Sequence, residues 1–264
     1  MGIKSQNELA WHNTLKSSSI IIKYIINHRD IIINSDNNDK RQNIISRLFY
    51  RLLRNLRAVC ILSQVSINQG GDTFLKLPVG LLIRNCLLDC INGLYISRNG
   101  EEHCNDYIGL NNAKYVRSLF EQYEVYRDKV SHIFDDLTTR NAFILAIEDT
   151  YISELKIRND NESNNKISNI EIFRPKNGTE IKKEYGKCND RIKDLVDNLR
   201  EDDRVGERIG TLYAYYKYFS QYEHFSQRGD GDSLSDFGED NIKFEKVFDH
   251  INRSVEYIME TTFK

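Results

Sequence analysis

The chain has 264 residues, of which 40% are hydrophobic and 29% charged, with a formal net charge of −2. That is enough apolar material for one sizeable core, and it excludes a strongly basic nucleic-acid binder on bulk electrostatics while leaving a local basic groove open. Only Pro78 and Pro175 interrupt the chain, and because Pro is expelled from helix interiors this scarcity favours a mainly helical protein.

Leu9 to Asn27 reads as a first helix, with Ile20, Ile21, Tyr24 and Ile25 on one side. Ser35 to Asp39 is a polar turn rich in helix-starting residues. A long helix follows from about Lys40 to Ile67, carrying Ile44, Ile45, Leu48, Leu52, Leu56 and Val59 as an apolar stripe at helical period. Gln69-Gly70-Gly71-Asp72 breaks it. The next helix starts near Pro78, a favourable first-turn residue, and runs to about Ser97, where Asn99-Gly100 is expected to end it. It is apolar nearly all round, through Leu82, Ile83, Cys86, Leu87, Cys90, Ile91 and Leu94, and belongs at the centre of a bundle. Helical stretches are expected again from about Asn112 to His132 and from Thr138 to Ile157.

Asn159 to Asn169 is polar, without an apolar period, and reads as a surface loop. Alternation on either side of Pro175-Lys176-Asn177-Gly178 allows a short β-hairpin. Helix returns over Asn189–Leu199, Val205–Gln227 and Ile242–Met259, the last with Phe244, Val247, Phe248, Ile251, Val255 and Ile258 on one face. No repeat or linker is visible. The expected fold is therefore all-α: a single multi-helix bundle over 1–264 with a β-hairpin or loop insertion around 159–185.

The five cysteines form no CxxC pair and read as reduced, mostly buried thiols. An odd count, with no recognisable leader, points to the cytoplasm. Apolar runs such as Val79 to Ile83 fall far short of a membrane span. Phosphate-loop, GxGxxG, HExxH and GxSxG patterns are missing. No metal or cofactor is expected.

Three constellations could carry chemistry. In Arg127-Asp128-Lys129-Val130-Ser131-His132 a permanent cation lies close in sequence to an imidazole. Such a pair suits metal-free phosphodiester cleavage, the Arg neutralising phosphate charge and the His moving a proton to or from a ribose 2′-OH. Second, Tyr216, Ser220 and His224 are spaced four and four on one side of a late helix, and Arg84 interrupts the most apolar helix. A guanidinium there needs polar partners on a neighbouring helix, with Tyr216, Ser220 or Glu223 the natural ones, either as a structural clamp or as an anion pocket. Third, Arg47, Arg51 and Arg54 form a basic stripe near Tyr50: a solvated face, a track for RNA phosphates, or a surface for an acidic partner.

Two resemblances follow from these residues. Leu82-Ile83-Arg84-Asn85-Cys86-Leu87-Leu88-Asp89 resembles a Leu-x-Arg-x3-Glu helix, and Tyr216 to His224 resembles its Tyr-x3-Ser-x3-His partner, in a bacterial family of helical domains near the HEPN superfamily. The acidic position departs from that pattern, since Asp89 comes one residue late. Arg127 to His132 resembles the Arg-x(4–6)-His motif of HEPN ribonucleases, whose Arg and His act as a pair across a homodimer. That resemblance implies an endoribonuclease serving phage defence or a toxin system. Arg127 would hold the scissile phosphate, His132 act as acid or base, and Asp128 orient one of them. The rival expectation is a non-catalytic binding or sensor module, with a partner protein and a buried Arg84–Tyr216–Ser220–His224 network. On that reading His224→Ala destabilises by ~1–3 kcal/mol through unsatisfied partners.

Overall fold

Ser5 opens the first helix, its hydroxyl accepting from the Glu8 amide at 3.1 Å, in the Ser-x-x-Glu pattern of an N-terminal cap. Helix α1 then spans Gln6–Asn27 and α2 Arg29–Ile33. Asp39 caps α3, Lys40–Asn68, by accepting from the amides of Arg41 and Gln42 at 2.8 and 3.2 Å. Gly70 and Gly71 stop it with φ of 78° and 88°, values that side-chain-bearing residues rarely adopt. A Cβ on Gly71 would also lie 2.9 Å from the Glu8 amide nitrogen, so this turn fits tightly against the start of α1.

The computed structural model describes residues 5–33, 39–71, 73–161, 192–200, 205–220 and 237–263. Among the described residues the fold is all-α, without a strand. After α1 to α3 come α4, Lys76–Asp128; a 3-10 turn, Val130–Ile133; α5, Leu137–Asn161; α6, Ile192–Leu199; α7, Gly206–Ser220; and α8, Phe237–Thr262. The hairpin expected around 170–182 lies outside the described residues. The loop expected from Asn159 is helical through Asn161.

One boundary is corrected outright. Asn99-Gly100 does not end a helix, because α4 runs through it for 53 residues in all. A glycine inside a helix costs only about 1 kcal/mol relative to Ala, so it punctuates only where nothing else sustains the helix.

The chain divides into two compact units, Met1–Cys104 with Arg191–Lys264, and Asn105–Asp190. In the first, α1 packs on α3 and α8, α2 on α1 and α3, and α7 on α6 and α8. The stripe read from α3 is the buried face: Ile44, Ile45, Leu48, Leu52, Leu56 and Val59 are at most 7% exposed. From Asp89 to Ser97 every residue of α4 is buried, so this stretch is enclosed on all sides. Gly93 lets α8 come close there, since a Cβ would sit 2.7 Å from Ile258 Cδ1. Lys76–Arg98 is long and apolar enough to cross a membrane by length and composition, with a mean hydropathy of 1.4, yet 72% of its most apolar window is buried inside the protein. Burial in a core accounts for that apolarity. Cys86, Cys90 and Cys104 are buried and Cys60 is partly buried, all four outside any disulfide. Burial pushes the Cys86 and Cys90 thiols well up, away from the reactive thiolate.

In the second unit the end of α4, the 3-10 turn and the start of α5 form a bend. Phe143 packs against Phe134 at 5.0 Å and edge-on to Tyr126 at 6.4 Å, joining the two helices. Asp136 accepts from the Thr139 amide and hydroxyl, both at 2.7 Å, and starts α5. Arg140 donates to the Phe134 carbonyl at 2.8 Å and ties the helix back to the turn.

Candidate functional site

The last turn of α4 presents Tyr123, Arg127 and Asp128. Tyr123 lies four residues before Arg127 and so on the same face, and the guanidinium sits over its ring at 5.3 Å. Arg127 donates to both carboxylate oxygens of Asp128, Nε to Oδ1 at 2.6 Å and Nη2 to Oδ2 at 2.8 Å. Fork and carboxylate match in the bidentate geometry of a charge-assisted pair. Each partner steadies the other's charge: the hydrogen bond from Arg127 holds the Asp128 carboxyl below its usual range, and Asp128 raises Arg127 further above neutrality. The charge of His132 lowers Asp128 as well. His132 follows on the 3-10 turn, four residues after Asp128. Ser131 pins the bend, its buried hydroxyl donating to the Arg127 carbonyl.

His132 and Asp128 are exposed and Arg127 is partly buried. Two of the five guanidinium N–H groups are engaged on Asp128. Nη2 also lies 3.9 Å from Glu124 Oε1, so two carboxylates face this guanidinium. Exposed apolar side chains occur through the same segment: Val125, Tyr126, Ile133, Leu137 and Leu145 are 46–69% exposed.

The second constellation lies in the first unit. Arg84 crosses from α4 to α7, where its Nε donates to Ser220 Oγ at 3.1 Å and its Nη2 to Tyr216 Oη at 3.2 Å. The guanidinium also lies 5.1 Å from the centroid of the Tyr216 ring. The Ser220 hydroxyl in turn donates a hydrogen bond to the Tyr216 carbonyl at 2.7 Å. Arg84, Tyr216 and Ser220 are thus brought together, and a cation on an apolar helix is satisfied by polar groups of its neighbour. His224 and Glu223 lie outside the described residues.

The third constellation is changed by the structure. Arg51 is not part of a free phosphate track: its Nε donates to Asp89 Oδ1 at 2.7 Å, and its Nη2 reaches the same oxygen. Asp89 is 3% exposed, and burial raises its pKa from 3.8 to about 6 despite the opposing pull of Arg51. Its other oxygen, Oδ2, is buried without a hydrogen-bond partner. Asp89 therefore answers Arg51 of α3, and not Arg84, five residues earlier on its own helix. Arg47 and Arg54 remain exposed, as does Tyr50 at 48%.

Sequence reasoning missed the Arg51–Asp89 pair and the role of Tyr123. The first joins residues 38 apart and depends on helix register, which no local spacing encodes. The second had a signal, the four-residue step from Tyr123 to Arg127. Among the described residues no group of three or more His, Cys, Asp or Glu is placed to hold a metal. No protein-family model, no curated protein and no solved structure matches the chain.

Proposed function

We propose that the protein is an endoribonuclease of HEPN type that works without a metal, with Arg127 and His132 as its reacting pair. The observation that carries this reading is the cluster at the bend after α4, where Asp128 holds the Arg127 guanidinium and the exposed His132 follows on the 3-10 turn. Arg127 is held in place by that carboxylate and by the Tyr123 ring, and it neutralises phosphate charge. His132 takes the proton of the ribose 2′-OH as that oxygen attacks phosphorus. The bond from phosphorus to the 5′-oxygen breaks, leaving a 2′,3′-cyclic phosphate and a 5′-hydroxyl, and the leaving oxygen needs a proton in turn. Two copies of the chain supply two imidazoles, one for each transfer, as in the homodimers of the family that the motif resembles. The exposed apolar side chains from Val125 to Leu145 offer a surface for that second copy. Action in the cytoplasm, in phage defence or a toxin system, belongs to the same reading.

The contacts of Arg84 with Tyr216 and Ser220 favour a second reading, a non-catalytic binding module held by a polar network across its core. The two part in one experiment. Purified protein is incubated with total RNA and with tRNA in EDTA, beside His132→Ala and Arg84→Met. Cleavage by the wild type and by any folded Arg84→Met, but not by His132→Ala, is the expected result. Cleavage that survives in His132→Ala overturns the assignment of the site. No cleavage by any form turns the balance to the binding module.

A further inference from the structure

A cavity of about 470 Å³ opens between α1, α2 and α3 in the first unit, in the size range of small-molecule sites. Its floor includes Ile32 and Phe49, 4% and 3% exposed, and its mouth carries Arg29, Arg54, Arg57 and Tyr50. Tyr50, Arg54 and Arg57 follow one another at steps of four and three along α3, so one helix face delivers all three. The guanidiniums are exposed, and among the described residues none of them is paired with a carboxylate.

The lining chemistry is narrow. Besides the arginines it is aliphatic or aromatic, with the Tyr50 hydroxyl as its one neutral hydrogen-bonding group. A nucleobase or sugar would leave its polar edges unanswered against such a floor, whereas a hydrocarbon chain would not. Ile26 on the lining is 42% exposed, and Ile31 and Ile33 beside Ile32 on α2 are each 48% exposed. At the mouth, three fixed cations exceed what one carboxylate can neutralise. A phosphate monoester carries a charge of about −1.5 to −2 and three acceptor oxygens at neutral pH. Guanidinium forks match those oxygens in pairs.

We infer that this cavity binds a phosphorylated amphiphile, the hydrocarbon body lying on the apolar floor and the phosphate head between Arg29, Arg54 and Arg57. The same head could belong to a free alkyl or prenyl phosphate or to an anionic lipid at a membrane surface. The site lies in the first unit, whereas Arg127 and His132 lie in the second, and the inference does not depend on RNA cleavage.

The test uses the full chain and monomeric dodecyl phosphate, titrated calorimetrically. Saturable binding at one equivalent is expected. Arg54→Gln and Arg57→Gln should each weaken it by about tenfold or more, since each removes a charge-assisted contact, with an unchanged melting temperature because both side chains are exposed. Arg47→Gln, on the same helix but outside the cavity, should leave binding unchanged. Laurate and ADP should bind more weakly by a similar factor or not at all. Absence of saturable binding, equal binding by the Arg54 and Arg57 variants, or equal binding of laurate or ADP overturns the inference. Co-sedimentation with phosphatidylcholine vesicles containing phosphatidate separates the two sources. Retention on the vesicles assigns the head to a membrane lipid. Binding of monomeric dodecyl phosphate alone assigns it to a free ligand.

Discussion

Asp89→Asn probes a carboxylate held inside the core. The carboxyl is 3% exposed, is bonded to Arg51 through one oxygen, and has its other oxygen buried without a partner. Burial outweighs Arg51 and lifts its pKa from 3.8 to about 6 in the folded chain. The folded state therefore holds this proton more tightly than the unfolded chain does. The stabilisation from protonation is complete below the unfolded value near 4 and is lost as pH rises through about 6. At about 1.4 kcal/mol per unit of pKa, the group weakens the fold by ~2 kcal/mol between pH 4 and pH 7, since the unfolded carboxyl is already partly ionised at pH 4. Asparagine keeps the shape and carries no proton to lose. The stability of Asp89→Asn relative to wild type should therefore move in the variant's favour by about 2 kcal/mol across that interval. Equilibrium unfolding in urea at pH 4, 5, 6, 7 and 8 measures it. A difference that stays constant with pH, or that moves towards wild type as pH rises, refutes the reasoning and shows that the Arg51 pair outweighs burial.

Three further outcomes are expected. His132→Ala should abolish cleavage of RNA in EDTA while changing unfolding free energy by less than about 0.5 kcal/mol, because the side chain is exposed. Arg84→Met should destabilise by ~1–3 kcal/mol in chemical denaturation, since Tyr216 and Ser220 lose their donor. Gly71→Ala should cost ~1–3 kcal/mol in the same assay, more than Gly70→Ala, because Gly71 has both a positive φ and the Glu8 backbone 2.9 Å from the new methyl, whereas Gly70 faces open space.

What could be read from the sequence was what local spacing encodes. The six apolar residues of α3 recur at helical period, and that period alone gave the face that is buried. The all-round apolar stretch around Cys86 to Leu94 reads as a central helix, and its residues from Asp89 to Ser97 are all buried. Arg84 lay on an apolar helix, so its need for partners was legible, and two of the residues named for it lie at hydrogen-bond distance. The failures share a cause, dependence on information far along the chain. Asn99-Gly100 looks like a stop because local propensity is all that sequence shows there, yet α4 continues to Asp128. Arg51 is solvent-facing, as its stripe implies, but its bond to Asp89 of the next helix has no local signal. The division after Cys104 falls inside α4, where no Pro, Gly or Ser-rich linker marks it. The cavity beside α3 needed Arg29 from another element to become three cations around an apolar floor.

Trp11 has a practical consequence. It is the chain's sole tryptophan, and it is fully buried in α1, within the first of the two compact units. Its emission reports the solvent reaching that core and nothing of Asn105–Asp190, whereas far-ultraviolet circular dichroism sums helices from both. Tryptophan fluorescence and dichroism followed in one denaturant titration are therefore two separate witnesses. Coincident transitions mean that the two units melt as one cooperative body. A dichroism change with no matching shift in emission is the signature of the second unit, and with it the Arg127–His132 bend, opening on its own.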